Sequence, residues 1–441
     1  MKTKLQQHHK KFHHKSHGSQ SFSYFDNLYH NNHPFWSVAQ TVDFSYPAVF
    51  NFGDSNSDTG DLVSGLGIRL DLPNGQTYFQ KPSARFCDGR LLVDFLMDAM
   101  DLPFLNAYLE SIGAPSFRTG CNFAAAGSAI LPATATSVSP FSFGIQVSQF
   151  LRFKARVLEL LAKGKKQDKY IPQEDYFTQG LYMFDIGQND VDGAFYSKSE
   201  DQVVASIPNI LLEFETGIKR LYDQGARRFW IHNTSPLGCL PKNIARYGQD
   251  STRLDELGCV SSHNRSCKAF QSAALRSLQK IAKPIHGCQR YLRFKQPLMA
   301  CCGYGGPPTN YDSRISCGQT KDLNGSAVTA KGCDDSSKYI SWDGIHYTEA
   351  VNHYVSSQIL IGNYSDPPLS DKMPLLLKKG HNLRNNNIVS FVTRYDDIQQ
   401  TDNQHSIKQM VQPEKESHFL DQSASIILFN KIYHAEIPGV Q

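Results

Sequence analysis

Between about Tyr46 and Pro368 the chain switches repeatedly between two hydrophobic periods. Short apolar runs rich in β-forming residues lead into loops, and the loops into longer segments with apolar residues every three or four positions. Ala48 to Phe52, Asn122 to Ala125, Leu181 to Ile186 and Arg228 to His232 read as strands. Gly89 to Leu96, Ile145 to Leu161, Val203 to Tyr222, Cys259 to Ala282 and Thr348 to Leu360 read as helices. In the third helix Leu211, Leu212, Phe214, Ile218 and Leu221 form the expected core face, and Gly225 is its stop signal. Thr348 is the expected N-cap of the last. Strands alternating with helices predict βαβ units, and so an α/β fold whose parallel sheet is covered on both faces. Sites in such sheets form beyond the carboxyl ends of the strands. Ser55, Gly127 and Asn189 each follow such an end.

The flanks read differently. Residues 1–45 form a basic, His-rich arm with five Lys and five His in the first 17 residues, expected to be a solvated, disordered segment. No apolar stretch of signal-peptide length follows it. Residues 46–368 are the core domain, and residues 369–441 an atypical tail expected to be poorly ordered. Two apolar patches in the tail, Ile388 to Val392 and Ser425 to Phe429, show no partner pattern. No run of about 18 or more apolar residues exists, so no transmembrane segment is expected.

Composition narrows the class. The 441 residues are 40% hydrophobic, as a globular chain should be. A net charge of +4, not gathered in a central patch, gives no reason to expect nucleic acid as a partner. Ten cysteines are many for a reducing compartment. The spacing of Cys239, Cys259, Cys301, Cys302, Cys317 and Cys333 fits no common zinc pattern, so disulfides are the better reading, with pairing left open. Asn233, Asn264, Asn324 and Asn363 open glycosylation sequons, weak support for secretion.

The chemistry concentrates at four places. Ser55, in Gly53-Asp54-Ser55, follows an apolar run and precedes a polar turn, which suits an exposed nucleophile or, equally, a helix cap. Gly127 can present its N–H to a ligand, although a plain tight turn is the commoner meaning of one glycine. Asn189 can aim its amide at an oxyanion or form an Asx turn. Asp343 and His346, three apart, can face one side as orienter and base, or mark a helix start.

With these blocks in order, the chain resembles the plant GDSL esterase/lipase family of the SGNH hydrolases. The matching segments are Phe50 to Gly60, Asn122 to Ser128, Gly187 to Asp190 and Trp342 to His346, across roughly residues 46 to 368. The resemblance implies a three-layer flavodoxin-like fold with a central parallel sheet. It implies a catalytic set of Ser55, Asp343 and His346 and an oxyanion hole from the Ser55 N–H, the Gly127 N–H and the Asn189 side chain. It also implies no metal and no other cofactor, and a secreted enzyme of the cell wall. The expected reaction is hydrolysis of a small-molecule or polysaccharide ester through an acyl-enzyme, by a monomer. The alternatives are acyl transfer or deacetylation on cell-wall or specialised metabolites, and a catalytically impaired binding protein.

Three departures from the family pattern stand out. The His/Lys arm replaces a signal peptide, and the tail has no counterpart. The stretch from Lys280 to Pro297 is short, so one edge strand of the sheet is expected to be missing, with consequences for the placement of Asp343 and His346. Together they suggest an atypical or mis-spliced gene product.

Overall fold

Both faces of the central strands are apolar, and the structure shows why. This computed structural model describes residues 45–132, 139–164, 169–278 and 294–360, with Ser365–Asp366 and Ser425–Phe429. The four strand runs form β1 (Val49–Gly53), β2 (Gly120–Asn122), β3 (Leu181–Asp185) and β4 (Arg228–His232). All pair in parallel, with Val49 opposite both Gly120 and Leu181, and Leu181 opposite Arg228. Side chains alternate between faces with period two. Phe50, Phe52, Tyr182, Phe184, Phe229 and Ile231 share one core with α3 (Phe143–Ala162) and α6 (Glu200–Asp223). Val49, Leu181, Met183 and Trp230 face the other way, against α2 (Leu92–Ala99) and α9 (Glu349–Leu360). Those are the three expected layers. Phe123, Phe52 and Phe184 stack across the first core, with centroids 5.3 and 5.2 Å apart and nearly parallel rings. The remaining helices are α1 (Asp61–Leu66), α4 (Tyr176–Gln179), α5 (Gln188–Ala194), α7 (Pro241–Tyr247) and α8 (Ser261–Leu278).

Of the boundaries that differ from the sequence reading, two are marked by side-chain hydrogen bonds. The second strand runs only from Gly120 to Asn122: the Asn122 side-chain oxygen accepts the Ala124 N–H (3.0 Å), while the Phe123 and Ala125 N–H groups still donate to the Asn51 and Gly53 carbonyls of β1 (2.8 and 3.2 Å). The helix expected from Gly89 starts at Leu92. Asp94 accepts the Leu91 N–H (2.8 Å) and a two-pronged ion pair from Arg85, both bonds 2.7 Å, which holds residues 85–91 as a loop. Thr348 does cap α9, accepting the Val351 N–H at 3.4 Å.

Residues 1–44 and most of the tail lie outside the described residues. The patch at Ser425–Phe429 does not: as β10 it pairs in parallel with the outer edge of β4, Ser425 opposite Arg228 and Phe429 opposite His232. β9 (Ser365–Asp366) pairs antiparallel on its far side. The order is β2-β1-β3-β4-β10-β9, so a tail segment occupies the edge that the sequence left open. A short β-branched and aromatic run suits that place, because an uncovered β4 edge would leave its N–H and C=O groups unpaired. β5 (Gln296–Ala300) pairs instead with β8 (Tyr339–Ser341) in a small separate sheet, and β6 (Thr320–Leu323) with β7 (Ser326–Thr329) in a hairpin. The six cysteines singled out above pair as Cys239–Cys259, Cys301–Cys333 and Cys302–Cys317.

Candidate active site

The Ser55 turn is built by its neighbours. A Cβ at Gly53 would lie 2.5 Å from the Asp185 carbonyl oxygen, so only glycine fits where β1 meets β3. Gln146 clamps Gly53 from α3, accepting its N–H (2.9 Å) and donating to its carbonyl (2.7 Å). The Asp54 carboxylate accepts the Asn56 N–H (3.0 Å) and both oxygens accept from Gln188 Nε2 (3.0 and 3.1 Å). Asp58 accepts the N–H groups of Gly60, Asp61, Leu62 and Ala126. Asp58, not Ser55, therefore satisfies the first donors of α1, and the capping reading of Ser55 falls away. Ser55 is 7% exposed, and its side chain lines a cleft of about 230 Å³.

Asp58 has a buried neighbour with its own consequence. Asp61 accepts the Leu109 N–H at 2.7 Å through one oxygen, while the other meets no partner. Burial, opposed by that N–H and reinforced by the nearby Asp58, pushes the Asp61 pKa from 3.8 up to about 8. The stability this group contributes is full below the unfolded value near 3.8 and is lost as pH rises through about 8. The melting temperature is expected to fall by roughly 5 °C or more from pH 5 to pH 9, and Asp61→Asn to flatten that slope. Thermal unfolding at a series of pH values checks this, and an equal slope in the variant contradicts it.

Asp343 and His346 sit in a tight turn after β8, not in a helix. Asp343 Oδ1 accepts the N–H groups of Ile345 (3.0 Å) and His346 (2.9 Å), and its Oδ2 lies 2.7 Å from His346 Nδ1. Gly344 makes the turn possible: its φ is +94°, and a Cβ there would meet the Tyr311 ring at 2.3 Å. Burial raises the Asp343 carboxyl, but the His346 ring and the two N–H groups outweigh it and hold the pKa below the usual range. An ionised carboxylate only accepts, so Nδ1 carries the proton and Nε2 is left as a base. The Cys301 N–H donates to the Ser341 carbonyl at 3.0 Å and the Cys302 N–H to that of Trp342 at 2.6 Å. The small β5–β8 sheet thus supports the turn. Phe86 packs across the His346 ring, with centroids 5.2 Å apart.

Gly127 and Asn189 line the same cleft as Ser55 and His346. Gly127 has φ +73°, and its N–H, like that of Ser55, meets no acceptor among the described residues. Asn189, at the start of α5, donates one amide hydrogen to the Ser128 carbonyl at 2.8 Å. Its neighbour Asp190 ties the loops together by accepting the N–H groups of Ile130 and Leu131, both at 2.8 Å. All five residues named from the sequence thus border one cleft or support it. No hydrogen bond joins Ser55 Oγ to His346; in resting enzymes that bond is often long and tightens with substrate. Of the loop from Pro132 to Phe143, Pro132 and residues 139–143 are described. Phe86, Asp54, Asp58, Gln188 and Asp190 were not anticipated. The signal for Asp58 was present, an acidic residue two before a glycine at the head of an apolar segment.

A serine, a carboxylate-oriented imidazole and free N–H donors at one cleft can carry out acyl transfer. The model of the GDSL-like lipase/acylhydrolase family matches residues 49–359. The chain belongs to that family. A GDSL esterase/lipase of Arabidopsis thaliana is 59% identical, with 77% of this chain and 94% of that protein covered. A second from the same plant is 52% identical, covering 73% and 89%. A GDSL esterase/lipase of Zea mays is 39% identical, covering 74% and 88%. The protein is a serine hydrolase acting on ester bonds, with the α/β fold expected of the SGNH hydrolases. Among the described residues no helix is long and apolar enough to cross a membrane.

Proposed function

We propose that Ser55 is the nucleophile, His346 its base and Asp343 the orienter of His346. The observation that carries this reading is the 2.7 Å Asp343–His346 bond at the cleft that Ser55 lines. His346 Nε2 takes the Ser55 proton as Oγ attacks the ester carbonyl. The N–H groups of Ser55 and Gly127 and the second amide hydrogen of Asn189 receive the developing oxyanion. His346 then protonates the leaving alcohol, and the same base activates the water that hydrolyses the acyl-enzyme. Asp343 remains ionised and stabilises the imidazolium.

The substrate is a carboxylic ester of a lipid, an acetylated polysaccharide or a metabolite, handled by a monomer without a metal. Three disulfides favour an oxidising compartment and therefore secretion to the cell wall. Among the described residues, Asn324, exposed in the β6–β7 turn, is the sequon best presented for glycosylation.

The test is turnover of p-nitrophenyl butyrate. The wild-type enzyme hydrolyses it, and Asn189→Ala lowers kcat by about 10²–10³ with little change in KM, as expected for a donor used in the transition state. An unchanged kcat removes Asn189 from the oxyanion hole.

A further inference from the structure

One part of the cleft has no task in this scheme. Asp192, Tyr196 and Lys242 line it alongside Ser55 and His346. Lys242 donates to Asp192 Oδ2, and Asn243 holds the other oxygen at 2.6 Å while donating to the Leu237 carbonyl at 2.8 Å. The Lys242 and Asp192 side chains are only 14% and 8% exposed. Burial works against the ammonium, but Asp192 outweighs it and holds Lys242 above its usual range, so the pair stays charged. Asp192 is the one acceptor Lys242 Nζ meets among the described residues, which leaves two of its three hydrogens for a ligand. Tyr196 adds an aromatic surface to the same wall, backed by the Arg246 guanidinium 4.3 Å from its ring centroid.

Position decides which end of the ester meets this wall. The Lys242 backbone N–H donates to the Gly344 carbonyl at 3.1 Å, inside the turn that carries His346. Lys242 is therefore fixed on the side where His346 releases the alcohol. Leu62 and Ala126, beside the Ser55 turn and Gly127, offer the apolar surface that suits an acyl chain.

We infer that Lys242, held by Asp192 and Asn243, is a specificity-determining residue that selects esters whose alcohol is rich in hydroxyl oxygens, such as a sugar. The pair is neutral overall, which favours an uncharged polyol over an anion. Tyr196 supplies a face for a ring, and Lys242 donates to its oxygens. An alkyl alcohol leaves these donors desolvated and unused, and a site built for hydroxyls discriminates strongly against such an analogue. This inference rests on the Ser55 reading above.

The experiment compares kcat/KM for 6-O-acetylglucose and hexyl acetate, which share the acyl group. Lys242→Met is expected to lower the ratio of the two by about tenfold or more, with Lys242→Arg restoring part of it. Because Lys242→Met strands the Asp192 carboxylate, the double variant Lys242→Met with Asp192→Asn carries the same test without a buried unpaired charge. Labelling of Ser55 by a fluorophosphonate is followed in each protein. A lowered ratio with labelling retained supports the inference. Equal losses on both esters, or a wild type that uses hexyl acetate but not 6-O-acetylglucose, overturn it and leave the Ser55 reading standing. A folded wild type that is not labelled overturns that reading, and this inference with it.

Discussion

Ser55→Ala is expected to lower kcat for p-nitrophenyl butyrate by about 10⁴-fold or more, with KM little changed. The hydroxyl is the group proposed to form the acyl bond, and alanine removes it while keeping the turn. Nothing structural rests on it: Gly53 is held by Gln146, the carboxylate of Asp54 by Gln188 and Asn56, and the α1 donors by Asp58. The melting temperature should therefore stay within about 2 °C of wild type, which separates lost chemistry from lost fold. Loss of the fold in Ser55→Ala would show that the turn had been misread.

Asp343→Asn is the second large effect, expected near 10⁴-fold in kcat at neutral pH. Asp343 Oδ1 is occupied by two backbone N–H groups, so the side-chain oxygen of asparagine stays there and its NH₂ takes the place of Oδ2. An NH₂ facing Nδ1 donates where the carboxylate accepted. The imidazole must then carry its proton on Nε2, the nitrogen that has to accept from Ser55. Raising the pH would restore little, because the fault is the tautomer and not the charge. A pH–rate profile of the variant checks this; a loss of less than about tenfold contradicts the orienting role.

Much of this was legible in the sequence because local pattern and site chemistry coincide. Val49, Phe50 and Phe52 announce a strand buried on both faces, and Ser55 stands two residues past its end. Thr348 announces the start of α9. What escaped was set by contacts distant in the chain. Arg85 and Asp94 hold residues 85–91 as a loop that places Phe86 against His346, and the packing partner is some 260 residues away. The β10 segment has a strand composition, but pairing with β4 depends on an open edge, which no local period records. The expected disturbance of His346 did not follow, because the turn hangs on the β5–β8 pair and on hydrogen bonds within its own five residues.

The central claim is that the Ser55 hydroxyl forms the acyl bond. The most direct measurement is intact-protein mass spectrometry with peptide mapping after reaction with a fluorophosphonate. One adduct per chain on the peptide containing Ser55, absent in Ser55→Ala and strongly slowed in His346→Ala, is the predicted result. Labelling at another residue, or ester turnover that persists at the wild-type rate in Ser55→Ala, would contradict it.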